Sequence, residues 1–489
     1  MMNIDKFKNK FIVKAKPSEG FAENEKFHDF FQIQINLLPF ISNTSSSNFD
    51  NKCSLRGITG EFFRKCSEYD VNAVHNYEED VEDPVSHYLS QNSMTPDKIK
   101  KFNDIMRDLM YDQNHFVPID STFLKYIPVD SIIKNNKLTT SKYGDGQKKL
   151  ADYIFSMYNS VIKLEDSSSR NNLFSKSIKD ALNFKFANVS SNKSDYYILP
   201  FVKMQFSRDI QWFLKKQDYV ILKYIDLLLY FYACYSVIQT SLKLDIKKIS
   251  ESLEQPEDLY YILNNESASK KRDVVLHGWT SKMSNQYLQK LFGRMQAIDI
   301  LNFILADDSN EIIGLYPDIL KKLKETPFIQ EKENCEKLLK MYKDKKLELI
   351  NNRKTGRKVN ALSLPDTEVN SYEEFLEKLE KLCKQLISSE YEGKMLNRVN
   401  NLMKVRLLQT RQGRGSSVLV LDEDMLTFLI AMVTKEERCK LKDMYEKFKE
   451  YGIRFDLHTR QAIEDQLLKL NILERKSDSG EAQYVKIVL

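Results

Sequence analysis

The chain has 489 residues, which at roughly 100–200 residues per domain amounts to about two to four domains, each able to bury a sizeable core. Its 42% hydrophobic and 29% charged residues are those of a globular chain and exclude overall disorder. The net charge of +5 is small for this size and does not by itself argue for nucleic acid. Gly (14) and Pro (11) are scarce, so tight hairpins are few and long helices are favoured. The opening MMNIDKFKNKFIVKAK has basic residues but no apolar run behind them, and does not read as a secretory signal.

Residues 1–200 form a region of mixed α/β or irregular character, where polar runs such as NTSSSNFDNK and LEDSSSRNN interrupt short apolar segments. Residues 201–350 follow as a helical core domain. Its most apolar stretch, Tyr219 to Leu242, has an uninterrupted centre shorter than the ~20 residues a bilayer span needs, with Lys223 and Asp226 at its edge. It reads as a buried core helix, and the chain is expected to be cytoplasmic with no membrane partner. Leu288, Leu291, Phe292, Met295 and Ile298 continue the helical period. Residues 351–371, with Gly356 and Pro365, read as a linker. A helical hairpin over 372–412 comes next. Its first helix has Tyr372, Phe375, Leu376, Leu379, Leu382, Cys383 and Leu386 on one face, and its second runs from about 394 to 410. The glycines of RQGRGSS (411–417) mark a hinge.

Residues 413–489 predict a winged-helix-like domain. Asp422 caps a buried helix, MLTFLIAMV. A second helix ends at Gly452, and Asp456 caps a third that stops at Asn471. Ile472–Lys476, a Ser477–Gly480 turn and Glu481–Lys486 then read as strand, turn, strand. The fold class is therefore mainly α: a multi-domain helical protein with a C-terminal winged helix-turn-helix module.

In such a module the third helix enters the major groove. Here it offers Arg460 and Gln461, but Glu464 and Asp465 follow, and from Gly413 onward 13 Lys/Arg face 14 Asp/Glu. Phosphate binding needs net cation density, so protein docking is favoured over duplex binding. Positive charge is concentrated instead at 340–358, with eight Lys/Arg and two acids, and at 394–414, with six Lys/Arg and no acid. Each is either a solvated helix face or a phosphate-tracking surface. Candidate phosphate contacts are Arg398, Lys404, Arg406, Arg411 and Arg414, then Arg460, Arg475 and Lys476 at the third helix and wing. A smaller patch, Lys270 to Arg272, lies near Trp279, which reads as core rather than as a base-stacking platform.

No motif carries chemistry. There is no P-loop, since Gly393-Lys394 is followed by Met395, and the six histidines lack zinc-protease spacing. The six cysteines (53, 66, 234, 335, 383, 439) have no C-x-x-C pair and read as reduced, mostly buried thiols. Asp318 with Asp344, Lys345 and Lys346 only loosely suggests a metal-dependent nuclease, and the acidic run 78–83 reads as a solvated loop. No catalytic, cofactor-binding or metal-binding residue is assigned, and no cofactor is expected.

GRGSSVLVLDEDMLTFLIAMV, LKDMYEKFKEYGIRFD and above all ERKSDSGEAQYVK resemble the DptG family of bacterial phosphorothioation-dependent restriction systems. The resemblance covers about the last 80 residues. It implies a non-catalytic subunit of a complex that restricts DNA lacking the backbone sulfur, with ATPase and nuclease functions in DptF-like and DptH-like partners. Double-stranded DNA is a further candidate partner. The rival reading is a winged-helix transcription regulator, which needs base-reading side chains on the third helix.

Overall fold

The computed structural model describes residues 2–488 apart from 22–23, 29–33, 40–54, 68–81, 92, 113–114, 135–136, 159, 161, 163–195, 270, 280–286, 289–290, 308–310, 353–362, 388, 411–416, 436 and 476–482. The described chain is mainly helical. The acidic run before Glu82, the glycine hinge, the wing turn and residues 353–362 of the expected linker lie outside the described residues.

The first part places α1 (Ile4–Phe11), α2 (Leu55–Cys66), α3 (Asp83–Gln91), α4 (Pro96–Met110) and α5 (Lys142–Tyr158) among three small antiparallel pairs. These pairs are β1 (Ile12–Lys14) with β2 (Glu25–Phe27), β3 (Tyr111–Asp112) with β4 (His115–Phe116), and β5 (Ser131–Lys134) with β6 (Lys137–Thr140). Next come α6 (Pro200–Phe213) and the 26-residue α7 (Asp218–Lys243), the helix expected over Tyr219–Leu242. By length and composition α7 could cross a membrane, contrary to the length argument from sequence. Yet 83% of its apolar window is buried, because α2, α5, α6 and later helices surround it. A helix apolar all round is a core helix when neighbours cover it.

β7 (Leu259–Leu263) and the short α8 (Asp273–Leu276) lead into α9 (Leu291–Leu305), which is also buried on nearly every face. α10 (Tyr316–Leu323) and α11 (Phe328–Asn352) follow, and then α12 (Tyr372–Gln385) and α13 (Ser389–Lys404), the two helices expected as a hairpin, both of which pack on α9. At Gly293 a Cβ would come within 2.7 Å of the Lys384 Cα, so the glycine is what lets α9 and α12 approach. The second hairpin helix was expected to reach residue 410, but it stops at Lys404. The buried Tyr230 hydroxyl of α7 sits 2.9 Å from the carbonyls of Leu402 and Met403 and accepts the Arg406 amide at 3.0 Å. It thereby takes over the backbone groups that a helix end leaves unpaired. The chain can then turn into β8 (Leu408–Thr410).

β9 (Ser417–Leu421) opens the last part. After it come α14 (Glu423–Thr434), β10 (Cys439–Lys440), α15 (Leu441–Glu450), β11 (Ile453–Arg454), α16 (Leu457–Lys469), β12 (Leu473–Arg475) and β13 (Gln483–Val485). The expected caps are present: Asp422 accepts the Met425 amide, Asp456 accepts the Thr459 amide, and Gly452 and Asn471 have positive φ. β13 lies between β10 and β12, with Val485 opposite both Cys439 and Leu473.

A second sheet, ordered β11-β7-β9-β8, was not expected. β7 is parallel to both β9 and β11, so a strand from the central part is sandwiched between two from the end of the chain. β8 and β9 pair across the expected boundary at 412/413. Gly452 also belongs to this seam, because a Cβ there would lie 2.4 Å from the Glu257 carbonyl. Among the described residues the main apolar core runs from Met2 to Val485, and Ile262, Val274, Val418 and Val420 form a small separate cluster on the β7–β9 sheet.

Candidate nucleic-acid interface

α13 and the turn after it carry three of the proposed phosphate contacts. Arg398 and Lys404 are six residues apart, which puts them about 120° apart around a helix rather than on one stripe. Arg398 is half-buried, and burial pulls its guanidinium below the ordinary value. Lys404 is exposed in the last helical turn. Arg406 faces inward across the chain: its Nε is 2.5 Å from Asp422 Oδ2, a second nitrogen is 2.9 Å from Oδ1, and Asp424 lies 3.4 Å away. A two-pronged pairing of this kind holds the guanidinium against α14. Arg411, Arg414 and Lys476 lie outside the described residues, and Arg475 lies in β12.

The other basic run is also drawn into internal contacts. In α11, Lys346 is buried over the Phe27 ring, Lys343 donates to the Pro365 carbonyl and Lys345 approaches Glu25 at 3.5 Å.

On the third tail helix, α16, Arg460 is exposed, but its guanidinium lies 5.0 Å over the Tyr445 ring and donates to the Phe455 carbonyl at 3.1 Å. The helix start is pinned more firmly. Arg272, on the loop after β7, reaches Asp456 at 2.6 and 2.9 Å, Glu266 at 2.7 Å and the Thr459 hydroxyl at 2.6 Å. Burial, the largest single influence, would raise the Asp456 carboxyl, but the Arg272 hydrogen bonds and charge together with the Thr459 hydrogen bonds hold the group below its ordinary value. Sequence reasoning placed Arg272 in a surface patch. The signal that could have corrected this is Asp456, a cap with a second oxygen left to share, although nothing local shows the two to be neighbours. Lys270 lies outside the described residues, and Trp279 is buried, stacked on Tyr287 at 6.5 Å.

Beside α16, at the carboxyl ends of the parallel strands β7 and β9, lies a cleft of about 440 Å³. Asp422, already paired with Arg406, lines it with Glu423, Asp465, Asn264, Gln466 and Lys469, so carboxylates outnumber cations along this flank of the helix. The exposed side of α16 also presents Leu457, which is 82% exposed.

A second charged junction fastens the tail from the opposite polarity. The fully buried carboxylate of Asp209, in α6, accepts Tyr232 at 2.5 Å, Tyr451 at 2.9 Å and Lys435 at 2.7 Å. Lys435 ends α14 in the left-handed region, and Tyr451 ends α15. Sequence reasoning missed this group.

The suspected nuclease pair does not assemble into a metal cluster. Asp318 accepts the Leu315 amide at the start of α10, while Asp344 is exposed on α11. Among the described residues no group of three or more His, Cys, Asp or Glu could hold a metal ion. Cys66, Cys234, Cys335, Cys383 and Cys439 are free and buried; Cys53 lies outside the described residues. No family model matches the chain. No curated protein matches it either.

Proposed function

We propose that this chain is a non-catalytic subunit of a bacterial phosphorothioation-dependent DNA restriction complex, and that its C-terminal part is a winged helix used for protein docking. The resemblance of GRGSSVLVLDEDMLTFLIAMV and ERKSDSGEAQYVK to the DptG family supports the first part. Three helices interleaved with a β10-β13-β12 sheet are the parts a winged helix needs. The observation that carries the docking reading is the surroundings of α16. Its start is clamped by Arg272, and its flank is an acidic cleft that would repel phosphates. DptF-like and DptH-like subunits are the proposed partners, supplying ATPase and nuclease activity. Exposed Lys404 is the proposed contact for the duplex.

The test is co-purification of the full-length protein with the products of its neighbouring genes, comparing the unaltered chain with Leu457→Glu and Lys404→Glu. Removing residues 413–489 would be uninformative, since it also takes β9 out of the sheet. An ATPase partner lost with Leu457→Glu supports the docking reading. Recovery of the protein alone, with a sharp footprint at one DNA sequence, would reject it in favour of a transcription regulator.

A further inference from the structure

Away from the tail, a small cleft of about 240 Å³ lies between the end of α9 and the start of α11. Leu305, Leu323 and the Tyr372 ring make its walls, and Glu331 contributes from the first turn of α11. Glu331 is 2% exposed. Its Oε2 accepts Asn334 Nδ2 at 2.9 Å and the Met2 amide at 3.4 Å, whereas its buried Oε1 has no hydrogen-bond partner among the described residues. A buried carboxylate oxygen that accepts nothing is an unstable arrangement and invites a donor. The neighbouring tyrosine does not fill that role, because the Tyr372 hydroxyl donates to the Thr326 carbonyl.

The mouth indicates the sign of the ligand. Lys322 lies 3.4 Å from both Asp307 and Glu325, whose side chains are 83% and 62% exposed. Two carboxylates around one ammonium leave a negative charge at the entrance, with the Glu331 carboxyl group behind it. An inorganic cation needs several oxygen ligands at once, and among the described residues no such group is present. An ammonium instead supplies three donors and a charge from a single atom, and the small apolar area that Leu305, Leu323 and Tyr372 offer among the polar groups suits only a short methylene chain behind it. The volume is below the ~300–1,000 Å³ of drug-sized sites.

We propose that this cleft binds a short linear aliphatic diamine, one ammonium donating to Glu331 Oε1 and the other lying at the Asp307 side of the mouth. The site is independent of the docking surface on α16.

Calorimetric titration of the full-length protein with 1,4-diaminobutane, n-butylamine and butane-1,4-diol tests it. Both amines are expected to bind, the diamine more tightly, and the diol not at all. Glu331→Gln keeps the shape and should cost at least about tenfold in affinity for both amines, as loss of a charge-assisted hydrogen bond does. Asp307→Asn, on an exposed side chain, should bring the diamine to the level of n-butylamine and leave n-butylamine unchanged. If Glu331→Gln does not fold, the Asp307→Asn comparison still decides. Diol binding equal to that of the amines, no binding of either amine, or a diamine preference that survives Asp307→Asn would overturn the proposal.

Discussion

The two junctions that fasten the last part of the chain to the helical body solve one problem with opposite charges. At Asp209 a single buried anion collects donors from Tyr232, Lys435 and Tyr451, so α6, α7 and the ends of α14 and α15 meet at one carboxylate. At Arg272 a single cation collects Glu266, Asp456 and the Thr459 hydroxyl, and so ties the loop after β7 to the start of α16. The Asp209 side chain is wholly buried, whereas those of Arg272 and Asp456 keep 9% and 7% exposure. Because α16 is held at its start, its position is fixed relative to β7 and the body. What α16 leaves open to solvent is its outer face and the acidic cleft beside it.

Burial depth ranks the consequences of breaking each junction. Asp209→Ala leaves Lys435 and two tyrosine hydroxyls facing no acceptor and should cost about 3–5 kcal/mol, the usual result of removing one partner of a buried charge pair. Urea unfolding of the full chain measures it; a loss below 1 kcal/mol (about a tenth of a typical domain's stability) would show that water satisfies the site instead. Arg272→Ala should cost about 2–3 kcal/mol, since it strands two nearly buried carboxylates that it held by charged hydrogen bonds. Arg272→Lys should recover less than half of this, because a lysine cannot reproduce the two-pronged contact to Asp456.

The junctions should also separate by pH. Burial, and after it the Asp209 carboxylate, pushes the Tyr232 and Tyr451 hydroxyls well above the ordinary tyrosine value. They ionise in the unfolded chain first, so their contribution is intact below about pH 10 and is lost as pH rises beyond it. Asp456 runs the other way: its folded value is depressed, so its contribution holds above about pH 3.9 and is lost as pH falls through the folded value. Urea midpoints across pH should therefore show an alkaline limb that Asp209→Asn only softens, burial being the larger cause, and an acid limb that Arg272→Ala reduces. The smallest effect is expected at Arg406→Ala, where the pair with Asp422 is more than a quarter exposed and worth at most about 1 kcal/mol. If DNA binding is detected, Lys404→Glu should weaken it while Arg406→Ala leaves it nearly unchanged, as salt-dependent electrophoretic shifts would show.

Local features of the tail were legible because their causes lie within a few residues. Asp422 and Asp456 precede apolar runs and cap them, and Gly452 and Asn471 stop helices by taking positive φ. The candidate interface was legible only as charge. The run from Arg398 to Arg406 is basic in sequence, yet Arg406 is bound to Asp422 and Arg398 is half-buried, since side-chain partners depend on which elements become neighbours.

By itself, then, the sequence determined the mainly helical character, the apolar helices α7 and α9, and the helix ends of the tail, all set by periodicity and capping at short range. Only the tertiary structure decided that β7 lies between β9 and β11, that Tyr230 ends α13, and that Asp209 and Arg272 fasten the tail. Those contacts join residues far apart in the chain. Which strand edge or buried charge meets which is fixed by the packing of the whole core, and no local pattern encodes it.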